Sequence, residues 1–258
     1  MLDLKNIETF YPEKLRIFKR HILREYLQYA ILEAIFNSEF ADKLVFMGGT
    51  AIHMLYQSER FSEDLDFDSL DITRDEFTGL SENIRKKLFL EGYKVETENA
   101  FRGAYRCYIN FPDILYENGI SSHKNEKLLI QIDAEPQKIK YAPDKPIINK
   151  FDVFTQINAV PIDTLLAQKI YAIANRKRAL GRDFFDAIFL FSRTAPDFAY
   201  LRAKMGVKNG KEIKTVLLDR FAGLDFSRLA ADIKPFLFNP QEASKIKLFP
   251  EYIKQVKI

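Results

Sequence analysis

Residues 44–68, LVFMGGTAIHMLYQSERFSEDLDFD, contain the clearest structural pattern of the chain. The short apolar run Leu44–Met47 ends at two glycines, and apolar residues then recur at helical spacing. This pattern predicts a strand, a glycine turn and a helix over Ala51–Gln57, with Thr50 as the helix N-cap. The next segment, 65–68, alternates apolar and acidic residues, as a strand buried on one face does. We therefore predict a strand–turn–helix–strand unit.

The pattern continues on both sides of this unit. Apolar residues at helical spacing predict one or two amphipathic helices over Pro12–Phe36 and a further helix over Arg74–Leu90. Three extended candidates follow, separated by polar and glycine-containing segments: Tyr93–Glu98, Tyr105–Phe111 and Leu128–Glu135. Together these elements predict a mixed sheet flanked by helices.

From Pro161 onward the pattern is helical. The predicted helices are Ile162–Ala179, Phe184–Phe191, Lys211–Phe221, Phe226–Phe236 and Glu242–Val256. We therefore predict an α+β, bilobed fold. A mixed-sheet core lobe with a helical lead-in would occupy residues 1–155, and a C-terminal helical lobe would occupy residues 156–258.

The charge of the chain is unevenly distributed. The net charge is +3, but residues 201–258 carry 12 Lys/Arg against 6 Asp/Glu, so the remainder has 27 against 30 and a charge of −3. A basic C-terminal region suits a polyanionic partner, although a solvated helical surface explains it equally well. The single cysteine, the lack of an N-terminal leader and the lack of an apolar run of about 20 residues favour a cytoplasmic protein without a membrane anchor.

Acidic residues on the predicted strands suggest a metal site. Asp64 and Asp66 are two residues apart, so on a strand their side chains share a face and can hold a hard divalent cation such as Mg²⁺. Asp133 ends another apolar run and needs a partner, which a shared metal would supply. An Asp-x-Asp pair alone is a weak motif, and the three histidines lack the spacing of a metal cluster.

The two glycines before the predicted helix suggest an anion site. Gly48 and Gly49 have no Cβ to block a phosphate, and a helix N-terminus beginning near Thr50 offers free N–H groups and a positive dipole end. A Gly-Gly pair alone is more often an ordinary strand-to-helix turn. Together with Asp64 and Asp66, it favours binding of a triphosphate and its metal ion.

The order of these residues resembles the signature of the AbiEii/MenT-like toxins, which are nucleotidyltransferases of the polymerase-beta type. The signature combines Gly48-Gly49-Thr50-Ala51 with Arg60-Phe61-Ser62-Glu63-Asp64-Leu65-Asp66-Phe67, and Thr50 replaces the commoner serine. Downstream, Lys169-Ile170-Tyr171-Ala172 and Arg182-Asp183-Phe184-Phe185-Asp186 resemble the family's helical lysine motif and its Arg-Asp-x-x-Asp motif. The likeness spans about residues 44–191.

This resemblance implies a bipartite fold with a nucleotide bound between the lobes, Lys169 on its phosphates and an acid of the second motif assisting catalysis. From helical periodicity alone, Lys169 would more often extend to solvent. Asp183 and Asp186 share a helix face and could equally serve in capping and salt bridges, but Asp183 is our preferred base. Arg60 is a secondary candidate, for phosphate or for a structural carboxylate.

Two further secondary candidates are Ser62 and Arg182. The combined hypothesis is a Mg²⁺-dependent nucleotidyltransferase that moves a nucleotide from an NTP to an acceptor hydroxyl. By the resemblance, the acceptor would be the tRNA 3′ end, and an adjacent gene would encode an antitoxin. The alternatives are transfer to a small molecule such as an antibiotic, transfer to a protein side chain, transfer of the terminal phosphate instead, or a catalytically idle nucleotide- or RNA-binding module.

Overall fold

The computed structural model describes residues 2–258, which form two units. The first contains the chain up to Leu55 together with Phe61–Ala159. The second contains Tyr56–Arg60 together with Val160–Ile258. The second unit is therefore built from two separate pieces of chain, and the chain passes between the units within the Arg60–Asp66 motif.

The first unit contains a five-stranded sheet and a hairpin. The strands of the sheet in chain order are β1 (Leu44–Met47), β2 (Leu65–Ser69), β3 (Glu96–Arg102), β4 (Ala104–Phe111) and β5 (Leu128–Pro136), and the order across the sheet is β1-β2-β5-β4-β3. The sheet is mixed, as predicted, because β2 and β5 are parallel while its other pairs are antiparallel. The hairpin, β6 (Ile147–Lys150) and β7 (Val153–Gln156), was not predicted.

The first unit also contains helices. In chain order they are α1 (Leu4–Glu8), α2 (Lys19–Phe36), α3 (Gly48–Tyr56), α4 (Arg74–Leu90) and α5 (Ile114–Glu117). The bounds of α4 match the prediction because Thr73 and Glu76 form a capping box, which satisfies N–H groups of its first turn. Within the range Pro12–Phe36, where one or two helices were predicted, the structure has a 3-10 turn, Glu13–Leu15, followed by α2 from Lys19.

The two faces of β2 differ in chemistry. Leu65 and Phe67 are fully buried, and the Phe67 ring packs against Phe46 of β1 and Phe36 of α2 at centroid distances of 5.5 Å and 6.3 Å. Asp66 projects from the opposite face because successive strand residues alternate. The apolar face thus anchors the strand in the core and leaves its acidic face for chemistry.

The second unit is helical, as predicted. Its helices are α6 (Ile162–Asn175), α7 (Gly181–Phe191), α8 (Phe198–Met205), α9 (Gly210–Phe221), α10 (Phe226–Ile233), α11 (Ser244–Lys247) and α12 (Phe249–Gln255). The predicted helix Glu242–Val256 is divided, because Pro250 has no N–H to continue a helix and stands in the first turn of a new one. Helix α6 ends earlier than predicted, at Asn175, and the backbone of Arg176 is extended. Helix α8 was not predicted.

An aromatic cluster forms the core of this unit. Phe184 of α7 packs edge-on against Phe249 at 5.1 Å and Phe226 at 5.6 Å, and Phe221 lies 5.4 Å from Phe226. The separate piece Tyr56–Arg60 joins the rest of this unit through backbone pairing of Arg60 with Leu237. Among residues 2–258, no helix has both the length and the apolar character needed to cross a membrane.

Candidate active site

The glycine turn brings the backbone of Gly48 against the carboxylate of Asp66. Gly48 has a φ of +80°, and a Cβ added to it would lie 2.3 Å from Asp66 Oδ2. Met47 and Asp66 are opposite each other in the β1–β2 pair, which explains the proximity. Glycine is therefore required here both for its backbone conformation and for the space it leaves.

The prediction for Thr50 as an N-cap was wrong. Helix α3 begins at Gly48, so Thr50 lies within its first turn and is fully buried. The left-handed conformation of Gly48 lets the helix start immediately after β1, three residues earlier than expected. The hydroxyl of Thr50 donates to the backbone oxygen of Asp64. Thr50 thus fixes the loop that carries Asp64.

Helix α2 holds the same loop from the other side. Gln28, which is 1% exposed, donates through Nε2 to the carbonyl oxygens of Ser62 at 3.2 Å and Glu63 at 2.9 Å. Arg24 Nη1 donates to Glu63 Oε1 at 2.6 Å. With the Thr50 bond, three consecutive carbonyl groups ending at Asp64 accept hydrogen bonds from side chains. The loop is therefore held by its backbone, and Ser62 contributes its carbonyl group to that arrangement.

The sequence reasoning missed Gln28 and Arg24. Both are polar, four residues apart and therefore on one face of a helix that is otherwise rich in apolar residues. Two polar residues on one face of such a helix indicate that the face contacts hydrogen-bonding groups elsewhere in the chain, because a buried polar side chain needs a partner. The sequence does not indicate which loop supplies the partner.

Three charged residues form a row across the sheet. Asp66 of β2 is in register with Asp133 of the parallel strand β5, and Asp133 is in register with Arg106 of β4. Residues in register on neighbouring strands project from the same face, about 5 Å apart. Arg106 Nε donates to Asp133 Oδ1 at 2.9 Å, and Gln131 Nε2 donates to Asp133 Oδ2 at 2.8 Å. Both carboxylate oxygens of Asp133 thus accept a hydrogen bond, one from Arg106 in the same row and one from Gln131 in the same strand.

The carboxylates fit a hard divalent cation in part. Among residues 2–258, no three His, Cys, Asp or Glu side chains come together in a group able to hold a metal ion. Asp133 is therefore not assembled with Asp64 and Asp66 into a three-carboxylate site. The partly exposed pair Asp64 and Asp66 still offers oxygen ligands, and Mg²⁺ commonly takes one or two carboxylates together with substrate phosphates.

The second unit has its own buried charge network around Asp186. Arg60 binds Asp186 with two hydrogen bonds of 2.7 Å, and Lys169 Nζ lies 2.9 Å from Asp186 Oδ2. Asp186 is fully buried and Arg60 is 2% exposed. Burial alone raises the pKa of Asp186, but the positive charges of Arg60 and Lys169 outweigh it and hold the pKa below its ordinary value. Asp186 therefore stays ionised, and Arg60 has the structural role that the sequence left open.

Asp183 also belongs to this charge network. Lys169 Nζ lies 3.2 Å from Asp183 Oδ1, and Arg176 Nη1 lies 2.8 Å from Asp183 Oδ2. Asp183 is buried, but the Arg176 side chain that covers it is 42% exposed. Arg182, one residue before Asp183, is exposed. Lys169 thus contacts two carboxylates, and the five-residue network has three positive and two negative charges.

Histidine has a structural role in the first unit. His53 of α3 lies 3.0 Å from Glu25 of α2, and Lys150 lies 2.6 Å from the other oxygen of Glu25. Burial alone would raise the pKa of Glu25, but His53 and Lys150 outweigh it and lower the pKa to about 2. This buried ion network connects α2 and α3, the two helices that hold the Asp64 loop.

A mixed sheet that presents paired aspartates beside a glycine turn, with helices around it, is the arrangement of a nucleotidyltransferase. The family comparison agrees: residues 30–248 match the model of the nucleotidyl transferase AbiEii toxin family, from type IV toxin–antitoxin systems. The chain belongs to this family and is a nucleotidyltransferase of the toxin type. The family also implies an antitoxin partner and a nucleotide substrate.

Solved structures show the same fold at low sequence identity. The chain is similar to JHP933 from Helicobacter pylori, with a TM-score of 0.55, 16% identity and coverage of 90% of this chain and 91% of that one. It is also similar to an H. pylori protein assigned to the nucleotidyltransferases, with a TM-score of 0.52, 16% identity and coverage of 92% and 97%. No curated protein sequence matches the chain.

Proposed function

We propose that the protein transfers a nucleotide from a nucleoside triphosphate to an acceptor hydroxyl in a Mg²⁺-dependent reaction, with the tRNA 3′ end as the acceptor. The bond between the α- and β-phosphates breaks, a bond from the acceptor oxygen to the α-phosphorus forms, and pyrophosphate and a proton are released. The observation that carries the proposal is the contact between the Gly48 turn and the Asp66 carboxylate, with Asp64 fixed two residues earlier.

The residues of the first unit have distinct proposed roles. Asp64 and Asp66 would hold Mg²⁺, and bound Mg²⁺ would neutralise charge that develops on the phosphate oxygens. Gly48 and Gly49, the first residues of α3, would offer backbone N–H groups to a phosphate. Thr50 and Gln28 act through the loop, because their hydrogen bonds end on the carbonyl groups at and before Asp64. They are positioning residues.

Roles in the second unit follow from the family resemblance and remain predictions. Lys169 would contact triphosphate oxygens, and Asp183 would accept the proton of the acceptor hydroxyl. The geometry supports Asp183 over Asp186, because Asp186 is fully enclosed and bound on both oxygens by Arg60 and Lys169. Asp183 is covered by Arg176, a half-exposed side chain that can move aside.

The charge of the chain supports an RNA acceptor. Residues 201–258 have an excess of 6 positive charges, from 12 Lys/Arg minus 6 Asp/Glu, while the rest of the chain is net negative. A phosphate backbone is recognised mainly through such positive charge, and its binding weakens as salt increases. We therefore expect nucleotide transfer to RNA to fall with ionic strength more steeply than binding of the triphosphate.

The test is an incubation of the full chain with Mg²⁺, total tRNA and each triphosphate, labelled in turn at the α- or the γ-phosphate. We expect α-label on tRNA with wild type and none with Asp66→Asn. The matched control is Asp71→Asn, an exposed residue just after β2 whose φ of 59° asparagine tolerates. Transfer of the γ-label, or equal activity of Asp66→Asn and wild type, would contradict the proposal. Label on an acceptor other than RNA would refute the tRNA assignment alone.

A further inference from the structure

Arg106 and Asp133 form an ion pair between neighbouring strands of the sheet. Asp133 has a like charge, Asp66, in register on one side and a cation, Arg106, in register on the other. Its carboxylate is bound to Arg106 and Gln131, with oxygen-to-nitrogen distances of 2.9 Å and 2.8 Å. In the structure, the negative charge of Asp133 is therefore neutralised by a side chain of the protein.

This pair is placed where it can exchange partners. The Arg106 side chain is 38% exposed and that of Asp133 is 22% exposed, so solvent reaches both. An ion pair with this exposure is weak, in contrast to the buried pair of Arg60 and Asp186. A divalent cation beside Asp66 would compete directly for the oxygens of Asp133, which lies one strand away.

We propose that Arg106 is the internal counter-ion of Asp133, so that Arg106 and the divalent cation compete for the same carboxylate. The proposal rests on the proposed function only in placing the cation beside Asp64 and Asp66. Arg106 lowers the affinity of the free protein for the metal ion, and a triphosphate that brings its own oxygen ligands overcomes this competition. Arg106 is thus a residue that ties metal binding to the arrival of the nucleotide.

The experiment is a calorimetric titration of the full chain with Mn²⁺ in the absence of nucleotide. Because an exposed ion pair has to be broken for Asp133 to bind metal, we expect Arg106→Gln to bind Mn²⁺ roughly two- to five-fold more tightly than wild type. Arg106→Lys, which keeps the charge, should bind more weakly than Arg106→Gln. The matched control is Arg102→Gln, an exposed arginine at the end of β3, whose affinity should stay within about two-fold of wild type.

A second background separates competition for the carboxylate from a general effect of charge. In Asp133→Asn, the further change Arg106→Gln should tighten Mn²⁺ binding by less than it does in the wild-type background, because only the general loss of a positive charge remains. Tightening of the same size in that background would overturn the proposal, as would equal affinities of wild type and Arg106→Gln or no Mn²⁺ binding by Arg106→Gln at millimolar concentration.

The two proposals fail separately. The Mn²⁺ titrations use no nucleotide, so a chain that transfers no label to any acceptor can still show the coupling between Arg106 and Asp133. Conversely, label transfer that depends on Asp66, without that coupling, would leave the proposed function standing and refute the role of Arg106.

Discussion

Replacing Gly48 with alanine would impose two separate costs at one residue. The first is the φ of +80°, which costs an alanine about 1–2 kcal/mol. The second is steric, because the new Cβ would lie 2.3 Å from Asp66 Oδ2, and reaching an ordinary contact of 3.4 Å requires a shift of about 1 Å (3.4 minus 2.3). A displacement of about 1 Å in a catalytic group can lower the rate about a hundred-fold.

Gly103, in the β3–β4 turn, provides the matched control. It has the same φ of +80°, but a Cβ there would meet no atom within 4 Å. In urea unfolding we expect Gly103→Ala to lose about 1–2 kcal/mol from the backbone alone, and Gly48→Ala to lose at least as much, because its new Cβ also meets Asp66. In single-turnover assays of nucleotide transfer, only Gly48→Ala should lose about a hundred-fold. Equal transfer rates for the two variants would refute the idea that the contact of Gly48 with Asp66 sets the catalytic geometry.

Three further predictions concern polar residues that stabilise the interior of one unit or the other. Gln28→Met should lower kcat more than it raises KM and cost about 1–3 kcal/mol in urea unfolding, because buried carbonyl groups lose their donor; wild-type stability would contradict it. Glu25→Gln should be about 3 kcal/mol less stable than wild type near neutral pH. Because the pKa of Glu25 is lowered from 4.5 to about 2, this difference should shrink as the pH falls below about 4.5, and a difference constant from pH 7 to 3 would refute it. Arg60→Ala should cost about 3–5 kcal/mol by leaving Asp186 buried without its partner, whereas Arg85→Ala, from an exposed ion pair, should cost under about 1 kcal/mol.

Local patterns were sufficient for much of the fold. Alternation of apolar and acidic residues located β2, and helical periodicity located α4 with the observed bounds. These two predictions succeed because each pattern reflects the burial of one face of a single strand or helix. The hairpin Ile147–Gln156 was missed although it also alternates between exposed and buried residues, since its strands are only four residues long.

Residues that act through distant partners were harder to find. The acids Asp64 and Asp66 were located from spacing and resemblance, but the role of Thr50 depends on a backbone oxygen 14 residues away. Arg106 meets Asp133 only because β4 and β5 are neighbours in the sheet, a pairing that no local pattern encodes. The sequence therefore suggested candidate acids, and the side chains that contact them or their loop were missed.

The discontinuous build of the second unit also limits how the gene can be divided. A fragment beginning at Val160 would carry Asp186 in its interior without Arg60, its bidentate partner from the 56–60 piece. Such a fragment would bury a carboxylate stripped of its main counter-charge. The helical half therefore cannot be exchanged between relatives as one contiguous cassette. Recombination that preserves folding has to transfer Arg60 together with the C-terminal helices.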